Sequence, residues 1–133
     1  MPTKGQITGA TGVYLVASEL SKRSFIVSIT SRNAEGADIL VTDQYCRKAY
    51  SVQVKTNAST FSFWLIGKKG VKISSDSHIY VLVNIRKNEI EYYIVPSKII
   101  SRKIRCDNND KWHNVSLDDI LQYKDKWEIF RTK

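Results

Sequence analysis

Apolar residues recur at helical spacing near the start of the chain and then change to the two-residue period of strands. In TGATGVYLVASELSKR, Val13, Val16, Ala17 and Leu20 fall on one side, which predicts a helix from about Thr8 to Arg23 with Thr8 or Thr11 as its cap. SFIVSIT, ADILVTD and AYSVQVKT follow, separated by the turn-like RNAEG and the polar tip QYCR, and predict three successive strands. Phe61 to Ile66 is a fourth candidate strand, with a turn from Gly67 to Gly70. HIYVLVNI and EIEYYIV predict a hairpin around Lys87 and Asn88. Pro96 ends that hairpin and suits the start of a helix through PSKIISRKIR, with Ile99, Ile100 and Ile104 on one side and Lys98, Arg102 and Arg105 on another. After the polar loop CDNNDKWHN, SLDDILQYK spaces Ser116 and Asp119 as a capping box and predicts a short helix. Trp127 and Phe130 are the residues through which the end of the chain docks. The class is α/β: an N-terminal helix, a central sheet, and flanking C-terminal helices.

Parity along the strands separates chemistry from core. In AYSVQVKT, Ser51, Gln53 and Lys55 point one way and Tyr50, Val52 and Val54 the other. In ADILVTD, Asp38, Leu40 and Thr42 part from Ala37, Ile39 and Val41 in the same manner. If the two strands form a hairpin with Gln44 to Arg47 as its loop, Asp43 pairs with Lys48, and counting back sets Asp38 opposite Gln53. An acid and an amide then converge, with an ammonium two residues along on the same face.

Composition narrows the function classes. The 133 residues contain no repeat, linker or low-complexity segment, so one domain over 1–133 suffices, and 42% hydrophobic with 26% charged residues is enough to bury a core. No run approaches the ~20 apolar residues that span a bilayer, and MPTKGQITGATG lacks the apolar stretch of a secretory signal; a cytoplasmic protein with no membrane partner is expected. Cys46 and Cys106 are too few and too isolated for a disulfide framework. With His78 and His113 they lack zinc-site spacing, and the thiols are read as buried or indifferent. Twenty-one Lys and Arg against 13 Asp and Glu give a net charge of +8, which favours a polyanionic partner or serves solubility.

A helix, a strand beginning with Asp, and a strand carrying an acid or Gln, any residue, and Lys resembles the PD-(D/E)xK nuclease superfamily of restriction endonucleases and junction resolvases. GADIL supplies Asp38, and SVQVKT supplies Gln53, Val54 and Lys55; the likeness runs from near Lys4 to near Ser101. The resemblance implies a restriction endonuclease-like core with a mixed central sheet. It further implies Mg2+ or Mn2+ held by Asp38, the Gln53 side-chain oxygen and the Val54 carbonyl, and phosphodiester hydrolysis assisted by Lys55. Gln53 stands where most members have an acid, and Val13 where the family often has a first-helix glutamate. Glu19, the one acid of that helix, is either a substitute catalytic ligand or a solvated residue pairing with Lys22 or Arg23; Glu35 is a second loose candidate. Lys68, Lys69 and Lys72 form the candidate phosphate-contacting loop, with Trp64 read as core and His78 as structural unless it faces the metal cluster. DNA is the expected partner and RNA an alternative; a homodimer stays open. The rival readings are a nuclease-fold module that binds nucleic acid or serves in assembly without catalysis, and a protein-interaction subunit.

Overall fold

Thr3 starts the first helix. Its hydroxyl accepts the Gln6 backbone N–H at 3.1 Å, and the Gln6 side-chain oxygen accepts the Thr3 N–H at 2.9 Å, a reciprocal capping box. The helix α1 therefore spans Lys4–Lys22, about a turn earlier than apolar spacing predicts, because Gly5 and Gly9 dilute the apolar stripe in that first stretch. The computed structural model describes residues 1–31, 36–59, 62–67, 73–107 and 112–130, apart from the side chains of Asp107 and Trp112. After α1 come β1 (Ile26–Ile29), β2 (Ile39–Thr42), β3 (Ala49–Asn57), β4 (Phe63–Leu65), β5 (His78–Ile85) and β6 (Ile90–Pro96). The helix α2 (Ser97–Lys103), β7 (Arg105–Asp107), β8 (Trp112–Ser116) and 3-10 turns at Leu117–Asp119, Leu121–Tyr123 and Trp127–Phe130 complete the order.

Five strands make the main sheet in the order β1-β2-β3-β5-β6. Its β1/β2, β2/β3 and β5/β6 pairs are antiparallel and its β3/β5 pair is parallel, so the sheet is mixed. Strand β5 is apolar almost throughout because it is covered on both faces. On one face Val52, Val54, Val81 and Ile94 pack with Val16 and Leu20 of α1 and with Phe130. On the other, Tyr80, Leu82, Tyr93 and Val95 pack with Trp64, Val115, Ile100 and Ile120. Among the described residues no helix is long and apolar enough to cross a membrane.

The second face is covered by a small sheet, β4-β8-β7, that the polar sequence conceals. The predicted loop CDNNDKWHN contains Cys106 and Asp107 of β7 and the start of β8, and α2 stops at Lys103 rather than Arg105. Val115, paired with Trp64 and fully buried, supplies the apolar anchor. The predicted helix after Ser116 is instead two 3-10 turns, since Ser116 makes no side-chain cap and the backbone breaks at Ile120. Both cysteines are exposed, which corrects the first of the two readings, buried or indifferent.

Gly12 sets how closely α1 lies on β3. A Cβ there would overlap Thr56 Oγ1 and lie 2.8 Å from Thr56 Cβ, which the backbone fixes in place. Gly12→Ala is therefore expected to destabilise the fold by about 1–3 kcal/mol through overpacking, despite up to ~1 kcal/mol gained in helix propensity. Urea denaturation measures the change, and part of the loss should return in a Thr56→Ala background. A neutral or stabilising result would mean that this contact does not set the helix position.

Candidate functional site

The antiparallel register pairs Ile39 with Val52 and Thr42 with Ala49, so that the same count sets Asp38 opposite Gln53. Asp38 lies just before β2. Its N–H donates to the Val52 carbonyl at 2.7 Å and its carbonyl accepts the Thr30 N–H at 3.0 Å. Its carboxylate then continues the ladder where β2 leaves off: Oδ2 accepts the Val54 backbone N–H at 2.8 Å and the Gln53 Nε2–H at 3.0 Å. A strand residue turns its N–H and C=O to the same side, so the Val54 carbonyl opens onto the same gap between β2 and β3. Among the described residues Oδ1 accepts no hydrogen bond, and Asp38 lines a cleft.

That cleft is lined by Gln6, Gly9, Ala10, Val13 and Tyr14 of α1, by Ile29 to Ser31 at the end of β1, and by Asp38, Gln53 and Val54. Val13 thus does border the site, as a half-buried apolar wall. Asp38 supplies the one carboxyl group among the described lining residues. The Gln53 amide turns its nitrogen to Asp38, and rotation about its last torsion exchanges that nitrogen for the oxygen.

Lys55 shares the face of β3 with Gln53 but opens onto a neighbouring cavity, with Thr56, Asn57, Phe63, Trp64 and Leu65. It is two residues, roughly 7 Å, further along the strand, past the start of β2 and beside β4. Glu19 is not brought to the cleft. Its carboxylate is bound by Lys22 at 2.8 Å and Arg23 at 3.2 Å, and hydrogen bonding from Lys22 foremost, then Arg23, holds it below the ordinary carboxylate range against the opposing effect of burial. The ion pairs with Lys22 and Arg23 that the sequence offered for Glu19 are formed. Lys68, Lys69, Lys72 and Glu35 lie outside the described residues.

His78 is not among the residues lining this cleft, yet it bears on it. Its ring is 5% exposed, and its Nε2 is against the Gly36 carbonyl; a carbonyl only accepts, so Nε2 carries the proton. Gly36 has φ +78°, and a Cβ there would meet Ile73 as well. The histidine therefore ties down a left-handed turn two residues before Asp38. Sequence reasoning read His78 as structural unless it faces the metal cluster, and nothing local in the sequence pairs it with Gly36. Gln6 and Tyr14 were missed as cleft residues too, since where α1 crosses the sheet is a tertiary matter.

No protein-family model and no curated protein matches the sequence. Solved structures do. A Holliday junction resolvase from the hyperthermophilic archaeon Archaeoglobus fulgidus superposes with a TM-score of 0.57 at 11% identity, covering 86% of this chain and 88% of that one. The bacterial homing endonuclease I-Ssp6803I superposes with a TM-score of 0.63 at 11% identity, covering 97% of this chain and 91% of that one. This chain therefore shares the fold of that resolvase and that endonuclease, a mixed α/β fold with an N-terminal helix.

Proposed function

We propose that this chain is a metal-dependent nuclease that hydrolyses phosphodiester bonds in DNA, with Asp38, Gln53, Val54 and Lys55 as its site. The observation that carries the reading is the meeting of the Asp38 carboxylate, the Gln53 amide and the Val54 backbone in one cleft, where β2 parts from β3. The donor set fits Mg2+ or Mn2+, which take hard oxygens and complete their shells with water and substrate phosphate. Asp38 would supply the charge, the Gln53 oxygen and the Val54 carbonyl the neutral ligands. A divalent cation so held polarises a phosphoryl oxygen and lowers the pKa of water. Lys55, on the same face of β3, would steady the charge that develops on the phosphate. The net charge of +8 draws the polyanion to the protein.

A noncatalytic binding module is the second reading, favoured by Val13 and by the single carboxylate among the described cleft residues. Calorimetric titration with magnesium and manganese, followed by cleavage tests on linear and branched DNA, decides between them. Gln53→Glu is expected to tighten magnesium on the order of tenfold, because a full charge replaces a dipole at the cation, and to keep or raise cleavage. DNA binding with neither metal uptake nor cleavage, in the wild type and in Gln53→Glu alike, would favour the noncatalytic module.

A further inference from the structure

The cleft that holds Asp38 has apolar walls over its polar floor. Tyr14, Val13 and Ala10 stand on the α1 side and Ile29 on the β1 side, above Asp38 and Gln53. Tyr14 is 65% exposed and Ile29 47%, so neither is core. Among the described residues, neither the ring nor the hydroxyl of Tyr14 has a partner. Beside them a Cβ built on Gly9 would meet nothing within 4 Å, so the helix leaves open space along this wall. Singly scattered exposed apolar residues call for no explanation, but these two border one cleft, and it is the cleft with the carboxylate. Its volume of ≈ 530 Å³ falls within the ~300–1,000 Å³ usual for small-ligand sites.

An occupant of such a cleft needs an apolar face for the walls, a polar edge for the floor, and a negative charge to suit a protein of charge +8. A nucleotide has all of these, but only when its base is unpaired. In a continuous duplex both faces of every base are stacked inside the helix, out of reach of a side chain on a cleft wall. We propose that Tyr14 stacks on an unpaired base, flanked by Ile29, beside the phosphate presented to Asp38, so that DNA carrying unpaired nucleotides is the preferred substrate class. This rests on the nuclease reading of the Asp38 site and adds to it the form of the DNA.

The test uses the full chain without divalent metal, a blunt duplex, and the same duplex with a short single-stranded extension carrying 2-aminopurine at its first unpaired position. Anisotropy should show the extended DNA bound about tenfold tighter than the blunt duplex, with 2-aminopurine fluorescence quenched on binding, as stacking requires. Tyr14→Ala should bring the affinity for extended DNA down toward that for duplex and abolish the quench, whereas Tyr14→Trp should keep both. Gly9→Leu replaces a poor helix former by a good one and fills the open space; it should melt at an equal or higher temperature and lose the preference. Equal binding of the two DNAs by the wild type, or a preference that survives both Tyr14→Ala and Gly9→Leu, overturns the proposal. A Tyr14-dependent preference in a protein that never cleaves would sink the nuclease reading and leave the base site standing. Cleavage indifferent to Tyr14 and to unpaired nucleotides would do the reverse, and no DNA binding at low salt would remove both.

Discussion

Asp38→Asn is expected to fold and to lower metal-dependent DNA cleavage by roughly 10²–10³-fold or more, the scale on which single preorganised groups at charge-developing sites act. The substitution keeps the shape of the site. An asparagine oxygen can still accept the Val54 N–H, and the Gln53 amide can turn to present its oxygen to the new amide nitrogen. What is lost is the one negative charge among the described residues of the cleft. Since charge-assisted bonds are about twice as strong as neutral ones, a stability loss of about 1 kcal/mol should accompany the change. Magnesium affinity should fall with the charge, while DNA affinity in the absence of metal should hold or rise, because a carboxylate near the phosphates is gone. Calorimetry, cleavage assays and anisotropy on one preparation separate these effects. Cleavage within a few-fold of wild type would remove Asp38 from the chemistry.

The pairing of Asp38 with Gln53 could be read in advance because it depends only on local quantities. Strand parity is fixed by the backbone, and the loop from Gln44 to Arg47 fixes the register, which the pairing of Thr42 with Ala49 follows. The carboxylate bond to the Val54 N–H is a different matter, since it depends on β2 ending where it does. Lys55 was placed on the correct face, but its sideways neighbours come from β4, which reaches β3 only after the chain has folded. The Asn57 Nδ2–H donates to the Phe63 carbonyl at 3.0 Å and to Asn84 Oδ1 at 3.1 Å, a tie among β3, β4 and β5 that periodicity cannot show. The small sheet escaped for the same reason. Among its described side chains WHNVS has one buried anchor, Val115, and its partner Trp64 stands far earlier in the chain, so that nothing near it in sequence marks it as a strand.

That anchor makes Trp64→Ala the largest stability change expected here, about 3–5 kcal/mol by the usual cost of removing a buried Trp side chain. Trp64 is 1% exposed. Its indole N–H donates to the Val83 carbonyl at 3.0 Å, and its ring meets Tyr93 edge-on at 5.6 Å between centroids. One side chain thus fastens β4, and through the pairing with Val115 the small sheet, to two strands of the main sheet. For a domain whose whole stability is of the order of 5–15 kcal/mol, such a loss leaves little margin. Trp64→Phe keeps much of the apolar area but strands the Val83 carbonyl, and should cost about 1–3 kcal/mol. The site should feel the change unevenly. The cavity beside Lys55 includes Phe63, Trp64 and Leu65 and should open, whereas Asp38, Gln53 and Val54 are held by β2 and β3 and should keep their hydrogen bonds. Chemical denaturation gives the stabilities, and magnesium titration under folding conditions reads the site. A loss below about 1 kcal/mol for Trp64→Ala would show that the small sheet is fastened by other contacts.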